Sequence, residues 1–126
     1  MSILIGLDIG GSTTKIVGFD GEALLEPLWV KANDQVASAY GAFGKFIEKH
    51  QIDLKQVRKI MATGVGLSFL QGGIFGIETQ AVPEFDCVGK GGLYLSGFEK
   101  AIVVSMGTGT SIVAAEKGKT QQSGTG

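Results

Sequence analysis

The stretch Asp8-Ile9-Gly10-Gly11-Ser12-Thr13-Thr14-Lys15 packs a carboxylate, two glycines, three hydroxyls and a lysine into eight residues. The segment before it, Ile3–Asp8, is short and apolar and reads as a buried strand stopped by Gly10-Gly11. Thr14–Phe19 alternates and is rich in β-formers, so it reads as a second strand, making the loop a strand–turn–strand hairpin. A polyphosphate needs backbone N–H groups converging on its oxygens, and glycines let the chain come close enough to offer them. Ser12, Thr13 and Thr14 add hydroxyl donors, Lys15 supplies a point charge, and Asp8 can hold Mg²⁺ through water. The competing reading is a plain hairpin whose glycines serve only the turn. The combination of groups favours phosphate binding. The spacing is neither that of the Walker A loop nor that of the dinucleotide G-x-G-x-x-G.

Working outward, Asp20-Gly21 is a hairpin-turn signal, and Ala23–Lys31 follows as a third strand in which Pro27 points to an edge or a bulge. Three such strands make an antiparallel meander. A helix capped by Asn33 or Asp34 comes next, with Val36, Tyr40, Phe43, Phe46 and Ile47 at helical spacing and an end near His50. Leu54–Arg58 reads as a helical turn or loop, Lys59–Thr63 as a strand entering Gly64-Val65-Gly66, Gly72–Gly76 as an irregular loop, and Ile77–Val82 as another strand. Phe85–Leu95 fits a helix whose three glycines allow close packing on a neighbour. Ala101–Ser105 and Ser111–Ala115 are strands joined by Gly107-Thr108-Gly109, with a second turn at Lys117-Gly118-Lys119 and a polar remainder, Thr120–Gly126. This order indicates an α/β layered domain. Ile5–Thr14 and Val103–Ser111 echo one another loosely: apolar strand, glycine turn, hydroxyl residues, strand. The expected organisation is a domain over residues 1–98 and the incomplete start of a second over 99–126. That start has two strands and no helix to cover them, so the chain is expected to be a truncated form of a longer protein.

Bulk properties narrow the function classes. A chain of 126 residues with 44% hydrophobic content can make one domain with its own core. A net charge of −1 argues against nucleic acid or a membrane as partner. No basic region precedes the apolar Ser2–Ile5, so no secretory signal is read there. A single cysteine, Cys87, makes neither an internal disulfide nor a zinc cluster, and a cytoplasmic location is expected. The 21 glycines, set against 2 prolines, have no three-residue period and sit at the ends of apolar runs, which fits turns and ligand loops rather than collagen or a linker.

Two further constellations carry chemistry. Gly107-Thr108-Gly109-Thr110-Ser111 offers donors on a turn after a buried strand; paired with the first loop, it can grip a phosphate chain from the other side. Pro83-Glu84-Phe85-Asp86 opens a helix with two carboxylates. From spacing alone, favourable electrostatics at the helix N-terminus explains them more simply than a general base does.

Together these motifs resemble the actin-like ATPase and sugar-kinase superfamily, and within it the type II pantothenate kinases. The specific matches are Val82-Pro83-Glu84-Phe85-Asp86-Cys87 continuing through Gly89–Leu95, then Val104-Ser105-Met106-Gly107-Thr108-Gly109-Thr110-Ser111-Ile112, and the closing Gly124-Thr125-Gly126. The resemblance runs along the whole chain but covers only the first part of a family member. It implies a ribonuclease H-like, actin-type ATPase domain, followed by the first hairpin of a second similar domain. It also implies ATP and Mg²⁺ at a cleft between the two, and Glu84 as the base that activates the pantothenate hydroxyl, which reverses the reading from spacing. Asp8, Gly10, Gly11, Ser12, Thr13, Thr14, Lys15, Gly107, Thr108 and Gly109 match phosphate-binding positions, and Thr108 and Ser111 match positions near pantothenate. Gln121 stands where the family has an arginine for the pantothenate carboxylate; glutamine offers a hydrogen bond without the charge.

The expected function is therefore the N-terminal part of a kinase for pantothenate, in coenzyme A biosynthesis, or for a related small alcohol, with the isolated chain inactive. A homodimer is expected, formed in this chain through the exposed C-terminal hairpin. The alternative is a nucleotide-driven ATPase like the activators of acyl-CoA dehydratases, whose first loop is similar. Those proteins carry a cluster-ligating cysteine in a small glycine-rich loop, whereas Cys87 lies at an acidic helix start.

Overall fold

The structure is a computed structural model that describes residues 2–70, 72–107 and 109–125, with side chains placed through residue 118. It forms two compact units, Met1–Ala81 and Val82–Gly126.

The first unit holds β1 (Ile3–Ile9), β2 (Thr13–Phe19), β3 (Leu24–Lys31), α1 (Gln35–Lys49), β4 (Val57–Thr63) and β5 (Thr79–Ala81). Short 3-10 turns lie at Leu54–Gln56 and Leu67–Phe69. The sheet order is β3-β2-β1-β4-β5. β1, β2 and β3 form the antiparallel meander, while β4 runs parallel to β1, and β5 parallel to β4. Alternation decides which face is buried: Ile3, Ile5, Leu7 and Ile9 of β1 point inward with Ile16, Ile60 and Ala62. Ala39, Ala42, Phe43 and Phe46 of α1 close the core over them. Burying each phenylalanine contributes about 1.5–3 kcal/mol. Helix and sheet meet closely at Gly18, where a Cβ would come within 2.8 Å of the Phe46 ring.

Local chemistry sets the element ends. Asp34, not Asn33, caps α1, its carboxylate accepting from the Ala37 N–H at 2.9 Å. Pro27 sits where it is tolerated: β3 is an edge strand, and its register with β2 shifts between Ile16 and Gly18, so that two residues of β3 oppose one. The expected strand Ile77–Val82 is shorter, Thr79–Ala81. A bridge between Ile74 and Ile77, closed over a turn with positive φ at Phe75 and Gly76, uses up its beginning.

The second unit holds α2 (Glu84–Ser96), β6 (Lys100–Met106), β7 (Thr110–Glu116) and β8 (Lys119–Thr125). Its three strands are antiparallel in the order β6-β7-β8. The polar tail is a strand because β7 offers it a backbone ladder from Glu116↔Lys119 to Ser111↔Thr125, with one register shift between Ile112 and Val113. The hairpin is not bare either. α2 packs on it, and Gly92 makes the approach close, since a Cβ there would come within 2.6 Å of Val103. Consequently the compact units divide between Ala81 and Val82, whereas the expected boundary at 98/99 cuts between α2 and the sheet it covers. The loose echo between the two glycine turns is structural: each joins the first two strands of a three-stranded antiparallel meander. No helix among the described residues is long and apolar enough to cross a membrane.

Candidate nucleotide-phosphate site

The turn between β1 and β2 is built from backbone hydrogen bonds. Gly10 N–H donates to the Thr13 carbonyl at 2.9 Å, closing the turn above the Ile9↔Thr14 pair. The chain folds back so tightly that a Cβ on Gly10 would stand 2.7 Å from that carbonyl oxygen. Gly11 and Ser12 form the exposed tip, and Ser12 is tied from behind where its carbonyl accepts from Ala32 N–H at 3.0 Å. One residue below the turn, Asp8 and Lys15 are cross-strand partners. Their parity puts them on the sheet face opposite α1, with Lys15 Nζ 3.7 Å from Asp8 Oδ2. Both side chains reach solvent, so the pair contributes little to folding, and its charges are accessible to a ligand.

The glycine turn that follows β4 borders the site as well. Parallel pairing sets Thr63, at the end of β4, beside Asp8, and the chain then turns through Gly64-Val65-Gly66. Gly66 N–H donates to the Ile9 carbonyl at 2.8 Å. Gly64 has φ +102°, and a Cβ there would run into the Ile9 carbonyl and lie 2.7 Å from Asp8 Oδ1. Val65 is exposed and approaches Gly11. The signal was present in the sequence, a glycine pair directly after an apolar strand, but its meaning depended on which strand β4 would join.

One expected phosphate ligand faces the other way. Thr14 is fully buried, and its hydroxyl lies 3.0 Å from the Ser38 hydroxyl on α1. Its parity is that of Ile16 and Gly18, so its side chain points into the core while Thr13 and Lys15 point away from it. Thr14 thus contributes backbone and support to the turn rather than a hydroxyl to a ligand.

The second unit carries the remaining expected residues. Glu84 is exposed in the first turn of α2, beside Pro83 at the cap position. The turn between β6 and β7 is closed by Gly107 N–H donating to the Gly109 carbonyl at 2.8 Å, and both glycines are exposed. In this hairpin the cross-strand pair one residue below the turn is Ser105↔Ser111, where the first hairpin has Asp8↔Lys15. Ser111 is half-buried. Thr108 and the Gln121 side chain lie outside the described residues; the backbone of Gln121, in β8, pairs with Ala114 of β7.

The first turn fits a Mg²⁺–phosphate group on its own chemistry: an exposed tip of glycine and serine, a solvent-reaching carboxylate and a lysine beside it. Among the described residues no three acidic, histidine or cysteine side chains gather as a metal-ligand group. Mg²⁺ would therefore take Asp8 together with phosphate oxygens and water, the arrangement this small cation favours.

No protein-family model and no curated protein sequence matches the chain. Solved structures do. The chain is similar to component A of the (R)-2-hydroxyglutaryl-CoA dehydratase of Acidaminococcus fermentans, with a TM-score of 0.78 at 16% identity over 99% of this chain and 46% of that one. It is similar to the activator of 2-hydroxyisocaproyl-CoA dehydratase from Clostridium difficile, solved with bound ADPNP, with a TM-score of 0.72 at 16% identity over 95% and 45%. It is also similar to a ROK hexokinase from Thermus thermophilus, with a TM-score of 0.68 at 14% identity over 94% and 47%. The chain spans less than half the length of each of these three proteins. The fold is the α/β fold of actin-like ATPases and sugar kinases.

Proposed function

We propose that this chain is the nucleotide-binding part of an ATP-dependent phosphotransferase, and that the whole protein phosphorylates the hydroxyl of pantothenate or of a closely related small alcohol. The observation that carries the nucleotide reading is the Asp8–Lys15 pair set one residue below a backbone-closed glycine turn. When bound, Mg²⁺ would neutralise charge on the transferred phosphoryl group. Gly10–Thr13 would receive phosphate oxygens on backbone and hydroxyl donors, and Lys15 would add its charge. Gly107 and Gly109 would supply a second set of donors. The resemblance of Pro83-Glu84-Phe85-Asp86 supports Glu84 as the base that takes the proton from the substrate hydroxyl, that of Thr108 and Ser111 supports substrate contacts, and Gln121, where the family has an arginine, would offer the substrate a hydrogen bond without the charge.

Calorimetric titration of the chain with ADPNP and Mg²⁺ tests the nucleotide reading; no heat of binding would overturn it. In the whole protein, Glu84→Gln is expected to abolish phosphorylation of pantothenate while leaving ATP binding intact, and an unchanged kcat would remove the role. Self-association as a homodimer belongs to the same proposal. It is supported by the open edge of β6 and the exposed Ile102, Val104 and Met106, and a monomeric sedimentation profile at high concentration would count against it.

A second reading rests on the likeness to the two dehydratase components: a nucleotide-driven ATPase that works by conformational change. An iron–sulfur absorption spectrum from anaerobically purified protein would favour it over the kinase.

A further inference from the structure

The N-terminal turn of α1 and the segment leading into it touch both loops of the candidate site. Ala32 N–H donates to the Ser12 carbonyl at 3.0 Å, at the tip of the phosphate turn. The Gln35 side chain lies against Gly66, so closely that a Cβ at 66 would come within 2.6 Å of Gln35 Cγ. Gly66 in turn donates to the Ile9 carbonyl at 2.8 Å. The polar member of this set is buried. Ser38 Oγ donates to the Gln35 carbonyl at 3.2 Å, which leaves it to accept from the Thr14 hydroxyl at 3.0 Å.

Thr14 is completely inaccessible and Ser38 nearly so. A core strand position facing a helix would ordinarily carry valine, which has the same shape without the need for a partner. A hydroxyl pair fixes distance and direction, whereas apolar contact tolerates sliding. Thr14 immediately follows the carbonyl that closes the phosphate turn, so a shift of Thr14 against α1 is a shift of that carbonyl against Gly10.

We propose that Ser38, acting through the Thr14 hydroxyl, is a positioning residue that holds the Gly10–Thr13 turn in its nucleotide-receiving shape. The proposal rests on the nucleotide reading of that turn. Ser38 touches no ligand; it sets the register between the helix start and the loop.

Two variants and two readouts test it. Ser38→Ala leaves the Thr14 hydroxyl buried without its partner, which lowers stability as well as loosening the turn. The double variant T14V/S38A removes both hydroxyls, a change that is nearly neutral for stability because no buried polar group is orphaned. Hydrogen exchange of the Gly10 and Gly66 amides, measured without nucleotide, is expected to be about tenfold faster in both variants, one hydrogen bond's contribution to holding the turn. Exchange at Ile60, which donates to the Glu78 carbonyl on the other side of the sheet, is expected to stay unchanged. Binding of ADPNP with Mg²⁺ is expected to weaken about tenfold in the double variant even though its melting temperature is that of the native chain. Slow exchange at Gly10 and native affinity in the double variant would overturn the proposal, since the hydroxyls would then only satisfy one another. If the native chain binds no ADPNP, the nucleotide reading falls. The exchange at Gly10 still decides by itself whether Ser38 holds the turn.

Discussion

Gly64 stands directly behind Asp8: a Cβ on residue 64 would lie 2.7 Å from Asp8 Oδ1, and the backbone there has φ +102°. The position of the one carboxylate in the phosphate site thus depends on a neighbouring residue having no side chain. Gly64→Ala meets two penalties at once, an unfavourable backbone conformation and a collision with β1. It is expected to lower stability by about 1–3 kcal/mol in urea or thermal denaturation, and to displace Asp8 enough to weaken Mg²⁺-nucleotide binding. An unchanged denaturation midpoint would show that the Thr63–Gly66 segment adjusts freely.

Lys15 separates binding from folding. Its ion pair with Asp8 is solvent-exposed, so Lys15→Ala is expected to change stability by no more than about 0.5 kcal/mol. The same change removes the positive charge from the candidate phosphate site. Nucleotide titrations should show a clear loss of affinity that grows as salt is lowered, because the missing attraction is screened less. Equal affinities for the native and variant chains would take Lys15 out of the site.

Gly18 is a packing position rather than a turn position. The Phe46 ring is buried and lies 2.8 Å from where a Cβ would be, with Leu25 on the other side at 3.2 Å. Gly18→Ala is therefore expected to destabilise the first unit by about 1–3 kcal/mol through overpacking. The companion change Phe46→Leu should recover part of that loss in G18A, a coupling that a double-mutant cycle on denaturation midpoints would measure.

Asp20 gives the β2–β3 hairpin an acid limit. Its carboxylate accepts from the Ala23 and Glu22 N–H groups, both at 2.9 Å, and these bonds hold its pKa below the usual carboxylate value. A lowered folded pKa means that the unfolded chain takes up the proton first. The contribution is thus fully present above the ordinary carboxylate range, about pH 4, and is lost as pH falls through the lowered folded value. Denaturation midpoints of the native chain and Asp20→Asn should differ at neutral pH and converge as the solution is acidified below that range. A constant difference across the series would exclude the carboxylate as the cause.

Much of the first unit is legible because its strands are local and one-sided. The alternation of Ile3, Ile5, Leu7 and Ile9, the Asp20-Gly21 turn and the Val36–Ile47 periodicity each encode an element within a few residues of itself. The tail beyond Lys119 is different. Residues 119–125 are polar, with no apolar period to recognise, and they are a strand because β7 has an unpaired edge beside them. The helix at Glu84–Ser96 was legible as a helix. Its allegiance was not, because nothing in its own sequence says which sheet will receive Gly92.

By itself, the sequence determined the turn Gly10–Thr13, the charges that flank it and the strands that carry it, since hairpin chemistry is written in neighbouring residues. Only the tertiary structure decided what surrounds that turn. Parallel pairing of β4 with β1 brings Gly64-Val65-Gly66 from about fifty positions away in the chain. Packing of α1 on β2 turns Thr14 inward to Ser38 while Thr13 and Lys15 stay outside. Both outcomes follow from burial. A strand has two faces, and which one becomes the interior is settled by the partner that covers it, not by the strand alone.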